Sequence, residues 1–179
     1  MINYGRQFID KKDISSVSNI LKSNWLTQGP IVEKFENALK KKFGANYCCA
    51  VSNGTAALHL AGLSLGWKKG DIVIASSLSF VASSNSIIYT GATPSFVDIN
   101  PTTYTIDVNQ VEKKLKMFAN KNKKVVAIIA TDYAGHPCDW KTLKSISKKY
   151  KLKLINDNCH AIGASYKNDS KYALKFADV

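Results

Sequence analysis

The chain has 179 residues, 45% of them hydrophobic, which fits one soluble domain with a substantial core and leaves no room for a second complete domain. The N-terminal residues resemble neither a signal peptide nor a transit peptide, and no segment approaches about 18 uninterrupted apolar residues, so we expect a cytoplasmic protein without membrane attachment. The formal net charge is +12, but the lysines stand in short runs without interleaved aromatic residues, which argues against nucleic acid and leaves an anionic small molecule as a compatible partner.

Two amphipathic helices are predicted before the first strand. Apolar residues recur at helical spacing over 10–23 and again over 30–43, and Gly44 ends the second helix. The loop between them, Ser23–Pro30, mixes the large aromatic Trp25 with polar side chains and a Gly-Pro stop, which is typical of a segment that lines a site. The structural alternative is that Trp25 fills a gap in an apolar core and is followed by a turn.

From residue 47 onward, short apolar strands alternate with amphipathic helices. The predicted strands lie near 47–51, 71–75, 94–98, 124–130 and 152–156. The helices between them are predicted at 55–65, 80–89, 107–118 and 139–149. This alternation predicts a three-layer α/β fold, in which helices cover both faces of a mostly parallel sheet. Ligands bind at the carboxyl ends of the strands in such sheets.

The run from Ala50 to Leu60 indicates a strand, a tight turn and the start of a helix. Such a turn presents free backbone N–H groups, the hydroxyls of Ser52 and Thr55, and a glycine, Gly54, that lets the backbone approach a ligand. This combination suits a phosphate. An ordinary helix cap is the alternative, because Ser, Asn and Thr are favoured at helix starts in any case.

Other familiar site patterns are absent from the sequence. No GxGxxG follows the first strand, no GxxxxGK[ST] phosphate loop occurs, and no GxSxG marks a nucleophilic serine. The three histidines lack zinc spacing, so no metal site is expected. The four cysteines lack CxxC spacing, and the adjacent Cys48 and Cys49 fall in a predicted strand, which favours reduced structural thiols.

Five motifs occur in an order that resembles the DegT/StrS family of sugar-nucleotide aminotransferases. These are Trp25–Pro30, Ser52–Leu58, Pro94–Ile99, Tyr133–Asp139 and Asp157–Ala164. The resemblance runs from Gly5 to the end of the chain and implies the large domain of a fold type I, aspartate aminotransferase-like enzyme that uses pyridoxal 5'-phosphate (PLP). The first and last motifs are most similar to the family members of the pseudaminic acid pathway.

The resemblance also implies which residues hold the cofactor. Gly54, Thr55 and Ala56 are expected to bind its phosphate, Phe80 to stack on the pyridine ring, and Asp157 to pair with the ring nitrogen. A carboxylate in that place favours a protonated nitrogen, and the cationic ring then accepts electrons from the substrate. The structural alternatives are a buried core phenylalanine and a helix-capping aspartate.

His160 matches the position that contacts the phenolic oxygen side of the cofactor, where many relatives carry Gln. A core histidine with satisfied hydrogen bonds is the alternative. Two positions depart from the family pattern: Asn156 stands where Glu is common, and Asp132 stands where His is common. These departures put substrate contacts in doubt and leave the cofactor residues intact.

The N-terminal loop is expected to contact the substrate. Trp25, Leu26 and Thr27 are the predicted substrate-binding residues, in a segment 1–30 that precedes the PLP-binding domain at 31–179. The family's small C-terminal domain is expected to be absent from this sequence.

The lysine that binds PLP lies, in the family, in a Ser-Phe-His-x-x-Lys segment shortly after a stretch like Phe176–Val179. It is therefore expected beyond Val179, whereas Lys167, Lys171 and Lys175 are expected at the surface. The sequence then represents an N-terminal part, inactive alone and poorly soluble because of unpaired sheet edges.

The resemblance implies that the whole protein, a homodimer, transfers an amino group from glutamate to a nucleotide-linked 4-keto-6-deoxy sugar. Two alternatives stay open. A family member with His in place of the lysine would be a PLP-dependent sugar dehydratase, and a non-catalytic module would bind an anionic partner through its basic surface.

Overall fold

The chain divides into two compact units, Met1–Ala50 and Val51–Val179. The computed structural model describes residues 7–179. Residues 1–6, where the family resemblance was expected to begin, lie outside the described part. No helix of the described residues is both long enough and apolar enough to cross a membrane.

The first unit contains the two predicted helices, α1 (Lys11–Leu21) and α2 (Pro30–Phe43). Asp10 caps α1 by accepting from backbone N–H groups of the first turn, and the side chain of Asp13 accepts from the N–H of Asp10 in return. Pro30 occupies the first position of α2, and Gly44 ends that helix in the left-handed conformation, with φ 74°. Both helix predictions are confirmed.

The strand predicted near 47–51 is wrong, because the described backbone there forms no strand. The N–H of Ala50 donates instead to Glu36 Oε1 on α2, at 2.7 Å. Tyr47 is 91% exposed and Cys49 is also exposed, so the expected buried strand does not exist. The strand near 47–51 was predicted because its residues are apolar and favour β structure. A strand also needs a neighbouring strand to exchange backbone hydrogen bonds with.

The second unit is built on a four-stranded, all-parallel sheet with the order β2-β1-β3-β4. Its strands are β1 (Ile72–Ser76), β2 (Thr93–Val97), β3 (Val125–Thr131) and β4 (Lys153–Asp157). The register pairs Thr131 with Asp157 at the carboxyl ends of β3 and β4. The remaining four predicted strands are thus confirmed.

Helices cover both faces of this sheet, which confirms the three-layer α/β fold. They are α3 (Gly54–Ser64), α4 (Ala82–Tyr89), α5 (Val108–Asn120), α6 (Trp140–Tyr150) and the short α7 (Tyr172–Phe176). One apolar core lies between the sheet and α3 and α4, and a second lies between the sheet and α5, α6 and α7. The sequence analysis did not predict α7.

The strands divide their side chains between these two cores. Along β3, Ala127 and Ile129 belong to the core under α3 and α4, whereas Ile128 and Ala130 belong to the opposite core. Successive side chains of a strand point to opposite faces. A strand that is covered on both faces therefore has an uninterrupted run of apolar residues in its sequence. By the same alternation, Thr131 faces α3 and α4.

Both edges of the sheet are partly occupied by groups of the same chain. On the β2 edge, Pro94 has no N–H, and the carbonyl of Phe96 accepts from Lys114 Nζ. On the β4 edge, the N–H of Asp178 donates to the carbonyl of Leu154 at 2.7 Å, and the N–H of Asn156 donates to the carbonyl of Val179 at 2.9 Å. The expected unpaired edges are therefore only partly unpaired, and the expected poor solubility stays a prediction.

Candidate functional site

A cavity of about 320 Å³ opens at the carboxyl edge of the sheet, on the side of α3 and α4. Five of the six residues predicted to bind the cofactor line it: Gly54, Thr55, Phe80, Asp157 and His160. The sixth, Ala56, follows on the first turn of α3 and is not part of the described lining. The structure therefore gathers residues from three separate loops around one space.

The N-terminus of α3 forms one wall of the cavity. Asn53 caps the helix, and its Oδ1 accepts from the N–H of Ala56 at 2.9 Å. The N–H groups of Gly54 and Thr55 belong to the first turn, where a helix offers no internal acceptor. No acidic residue stands in this turn, so the positive end of the helix dipole is not neutralised there. This wall suits a phosphate or another small anion.

Gly54 lies directly against the loop that follows β4. A Cβ atom built at Gly54 would lie 3.1 Å from Cys159 Sγ. The sequence analysis expected a glycine here to let a ligand approach, and the structure adds a neighbouring thiol as a reason for it. A larger residue would require the Cys159 side chain to move aside by a few tenths of an ångström.

Asp157 ends β4 and is the buried acid of the cavity, with 4% of its surface exposed. Its Oδ2 accepts from Ser83 Oγ on α4 at 2.7 Å, and its Oδ1 accepts from the N–H of Cys159 at 3.4 Å. Among the described residues, no lysine, arginine or histidine forms an ion pair with it. A buried carboxylate with only neutral donors is a strong site for a cation or a protonated nitrogen.

Phe80 stands at the opening of the cavity, in the loop between β1 and α4. Its side chain is 67% exposed, which does not fit the alternative of a core phenylalanine. An exposed ring beside a cavity offers a flat apolar wall against which another ring can stack.

His160 is exposed and contacts the loop after β3. Its Nδ1 accepts from the N–H of Ala134 at 3.4 Å, and its ring meets that of Tyr133 edge-on, with 6.1 Å between ring centroids. With Nδ1 as an acceptor, the neutral ring carries its proton on Nε2 and can donate it to a ligand. Its exposure does not fit the alternative of a core histidine.

Gly135 makes this contact between loops possible. It has φ +84°, and a Cβ atom there would lie 3.2 Å from the carbonyl oxygen of His160. Tyr133–Gly135 forms a single 3₁₀ turn, which the sequence analysis did not predict. The conformation and the close packing both require glycine at this point.

Sequence reasoning did not assign the other five residues of the lining, among them Thr131 and Cys159. Burial raises the pKa of the Cys159 thiol to about 11, and the nearby Asp157 carboxylate adds to the rise. The thiol is therefore protonated at neutral pH. Thr131 is the last residue of β3, and Cys159 lies in the loop after β4. The available signal was therefore their position at the carboxyl ends of predicted strands, where ligands bind.

The two departures from the family pattern lie in contact with each other, within the opposite core. Asp132 is fully buried and accepts from Asn156 Nδ2 at 3.2 Å. It also accepts from the N–H of Cys138 at 2.8 Å, from Trp140 Nε1 at 3.0 Å and from the hydroxyl of Tyr172 at 2.5 Å. We call these five residues the Asp132 cluster. Burial, followed by Asp132, raises the pKa of Tyr172 above its ordinary value.

The predicted substrate residues Trp25, Leu26 and Thr27 lie in the first unit, between α1 and α2. Trp25 is 62% exposed, and a Cβ atom at Gly29 would lie only 2.8 Å from its Cβ. Their role in binding substrate stays a prediction.

Comparison with known proteins places this geometry in a family. The sequence pattern of the DegT/DnrJ/EryC1/StrS aminotransferase family matches residues 7–179. GDP-perosamine synthase of Escherichia coli O157:H7 is 40% identical over 169 residues, which cover 94% of this chain and 44% of that protein. The UDP-4-amino-4,6-dideoxy-N-acetyl-beta-L-altrosamine transaminase of Campylobacter jejuni strain 81-176 is 38% identical over 93% of this chain and 43% of that protein.

A similar solved structure is that of NtdA from Bacillus subtilis with bound cofactor PMP, the pyridoxamine form of PLP. It superposes with a TM-score of 0.80 at 32% identity, over 92% of this chain and 35% of NtdA. The chain thus spans less than half the length of these relatives. The match over nearly all of the sequence, together with the shared fold, confirms the resemblance: the chain belongs to the DegT/DnrJ/EryC1/StrS aminotransferase family, whose cofactor is PLP.

Proposed function

We propose that the protein containing these residues transfers an amino group to the keto carbon of a nucleotide-linked sugar, with PLP as its cofactor. The observation that carries the proposal is the buried Asp157 carboxylate, which lacks a cationic partner among the described residues and shares a cavity with the N-terminus of α3. One site binds a protonated ring nitrogen and the other binds a phosphate, and PLP carries both groups.

The residues present fit this cofactor. Asp157 would hold a proton on the ring nitrogen, and Ser83, which donates to Asp157 Oδ2, fixes the direction of the carboxylate. Gly54 and Thr55 would bind the phosphate through backbone N–H groups. The cavity of about 320 Å³ is large enough for a substituted pyridine.

Phe80 and His160 would set the orientation of the ring. Phe80 supplies the apolar wall at the cavity opening, and His160 Nε2 can donate to the phenolic oxygen. When bound, PLP supplies an electron-accepting ring that stabilises charge on the substrate carbon. The task of the protein is therefore to hold this ring flat, keep its nitrogen protonated and limit the access of water.

The residue that moves the proton at the substrate carbon is not found in the described cavity lining, which contains no lysine. Lys167, Lys171 and Lys175 are exposed, and Lys175 pairs with Asp169 at 2.6 Å. Following the family resemblance, we propose that a lysine outside residues 1–179 supplies this amine.

The proposed donor is glutamate, and the proposed acceptor is a nucleotide-linked 4-keto-6-deoxy sugar of the kind used for pseudaminic acid or for surface polysaccharides. The similarity to the perosamine synthase and the altrosamine transaminase supports this choice. The test is to incubate the intact protein with PLP, glutamate and the keto sugar and to measure 2-oxoglutarate and the amino sugar. A deoxygenated product without 2-oxoglutarate would favour the dehydratase alternative, and no cofactor binding would overturn both.

We also propose that the protein works as a homodimer that associates through α3 and α4. These helices expose apolar side chains on the outside of the second unit: Leu60 and Leu63 are both 49% exposed, Ile88 is 54% exposed and Tyr89 is 56% exposed. Apolar patches of this kind mark association surfaces. Light scattering should give the mass of a dimer for the intact protein, and Leu63→Glu should shift it towards the monomer, whereas a monomeric wild type would overturn this proposal.

A further inference from the structure

The amino edge of the sheet, which lies opposite the cavity, carries a dense group of lysines. They precede three strands that lie side by side in the order β1-β3-β4. All nine are exposed: Lys68 and Lys69 before β1, Lys121, Lys123 and Lys124 before β3, and Lys148, Lys149, Lys151 and Lys153 from the last turn of α6 to the first residue of β4. We call these nine residues the amino-edge lysines.

Backbone contacts hold the three lysine-bearing segments next to one another. The N–H of Ile72 donates to the carbonyl of Lys124 at 2.9 Å, and Lys153 pairs in register with Ala127 near the start of β3. Neighbouring strands lie about 4.8 Å apart, so the three segments fall within the ~10 Å over which charges act on one another at moderate ionic strength. The amino-edge lysines therefore form one positive surface.

Most of this charge has no counter-charge nearby. Three of the nine form ion pairs: Lys124 with Asp71 at 2.7 Å, Lys149 with Glu112 at 2.5 Å, and Lys153 with Asp178 at 3.7 Å. The other six form no ion pair within residues 7–179. Five acids of the second unit lie instead at the carboxyl ends of strands or at the starts of helices: Asp98, Asp107, Asp132, Asp139 and Asp157.

Helix ends explain only part of this surface. Lys148 and Lys149 occupy the last turn of α6, where the helix dipole favours a cation. The helices α3 and α5 also end at this edge, yet neither has a basic residue in its last turn. Lysines this close together repel one another and weaken the folded state. Their accumulation at one edge is therefore better explained by an anionic partner than by the needs of the fold.

The residue types of the surface indicate which kind of anion it suits. The segments 68–71, 121–124 and 148–153 contain no arginine, and their single aromatic residue, Tyr150, is half-buried. Arginine supplies the forked contacts of base and phosphate recognition, and exposed aromatic rings stack on unpaired bases. Lysine ammonium groups are flexible, hydrated point charges, which suit a diffuse layer of negative charge such as anionic lipid headgroups.

We propose that the amino-edge lysines bind the protein reversibly to a bilayer that contains anionic lipids. The sequence analysis expected no membrane attachment because long apolar segments are lacking, but electrostatic contact with headgroups needs no apolar segment. Contact through the amino edge leaves the cavity at the carboxyl edge turned away from the lipid and open to small molecules. This inference goes beyond the proposed function and does not depend on it.

The test is sedimentation of the intact protein with lipid vesicles. Wild type should sediment with vesicles of equal parts phosphatidylglycerol and phosphatidylcholine but not with phosphatidylcholine alone. About 1 M salt should release it, because the screening length falls to about 3 Å. The triple variant Lys69→Gln, Lys123→Gln, Lys151→Gln should bind the anionic vesicles roughly a hundredfold more weakly, since each lysine near such a surface contributes about a fivefold factor.

The matched control removes three lysines from the other end of the second unit. Lys141 lies in the first turn of α6, and Lys167 and Lys171 lie between β4 and α7; all three are exposed and outside the cavity lining. The variant Lys141→Gln, Lys167→Gln, Lys171→Gln has the same net charge as the first variant and should bind vesicles within about twofold of wild type. Both variants should keep the melting temperature and PMP affinity of wild type.

Three outcomes would overturn the inference. Failure of the wild type to sediment with the anionic vesicles would show that the surface does not bind lipid. An equal loss in the two triple variants would show that binding follows net charge and not this surface. If duplex DNA displaces the protein from the vesicles at equal phosphate concentration, and the first variant has lost DNA binding, the surface belongs to nucleic acid. None of these results bears on amino transfer, which the assay of 2-oxoglutarate tests separately.

Discussion

Thr131 and Asp132 are neighbours in the chain, yet their surroundings differ completely. Thr131 lines the cavity and pairs in register with Asp157, an acid that has only neutral donors. Asp132 lies in the opposite core, where four donors surround its carboxylate. The comparison teaches that the acid surrounded by donors, Asp132, holds this fold together, whereas the acid with few donors, Asp157, marks where a cationic group of a ligand belongs.

The largest expected effect is on activity, from a substitution of Asp157, the acid with few donors. Asp157→Asn removes the charge proposed to hold the ring nitrogen, and loss of one partner from a buried charge pair costs about 3–5 kcal/mol. We expect kcat/KM for amino transfer to fall roughly a hundredfold to a few thousandfold. The unfolding free energy of the ligand-free protein should not fall, because a poorly compensated buried charge is removed.

Steady-state kinetics and urea denaturation of the same preparation check this prediction. Asp98→Asn, at an exposed acid beyond the end of β2, is the control and should change neither quantity appreciably. Normal activity in Asp157→Asn would contradict the proposed role of this carboxylate.

A substitution of Asp132, the acid surrounded by donors, should lower stability and leave cofactor binding intact. Asp132→Ala leaves several buried donors without an acceptor, at about 1–3 kcal/mol each, so we expect a loss of about 3 kcal/mol or more in unfolding free energy. PMP affinity of the protein that remains folded should stay near wild type, because the Asp132 cluster lies across the sheet from the cavity.

Tyr172→Phe provides a graded version of this test. It removes one donor and keeps the ring, so its cost should be about 1 kcal/mol. Equal costs for Asp132→Ala and Tyr172→Phe, measured by urea denaturation, would show that the Asp132 cluster does not act as a network.

The contact between loops at Gly135 predicts a smaller effect. Gly135→Ala combines a left-handed backbone with a Cβ that lies 3.2 Å from the carbonyl of His160, so it should cost about 1–2 kcal/mol and weaken PMP binding by displacing His160. Gly163→Ala is the matched control, since Gly163 has φ +97° but nothing within 4 Å of a built Cβ. Gly163→Ala should therefore lose only the free energy of backbone strain. Equal PMP affinities in the Gly135→Ala and Gly163→Ala variants would contradict the proposed contact of His160 with the cofactor.

The smallest effect concerns Cys159. Because its pKa is raised to about 11, alkylation should be slow at neutral pH and should accelerate up to about pH 11. Asp157→Asn removes one cause of the rise and should move this curve to lower pH, and bound PMP should protect the thiol. Mass spectrometry of the modified peptide measures this, and a rate that reaches its plateau near pH 8 would show that the thiol is not in this environment.

Much of the cavity was predictable from the sequence because of a general property of parallel sheets. Phe80 and His160 follow strand ends, Asp157 is the last residue of β4, and the carboxyl ends of parallel strands meet at one edge. Gly54 and Thr55 were predictable from the helix start that follows Asn53. Local pattern and one topological rule thus gave the location of the site, whereas the roles of Phe80, Asp157 and His160 toward the cofactor came from the family resemblance.

The Asp132 cluster was not predictable in this way. Its donors come from positions 138, 140, 156 and 172, and their meeting depends on how α6 and α7 pack. Tyr172 lies between Lys171 and Lys175, which the sequence analysis expected at the surface, although the structure buries the tyrosine side chain. The wrong strand near 47–51 has a similar cause, since the side chain that takes the N–H of Ala50 is Glu36, fourteen residues earlier.

The occupied edges of the sheet bear on how separate copies of this chain meet. On β2, Pro94 and the Lys114 ammonium leave an incoming strand few groups to pair with, and on β4 the residues from Asp178 onward already use the backbone of Leu154 and Asn156. Proteins that leave long, flat edges open invite stacking into intermolecular sheets. The occupied groups reduce the number of backbone positions at which a strand of another copy could pair with either edge.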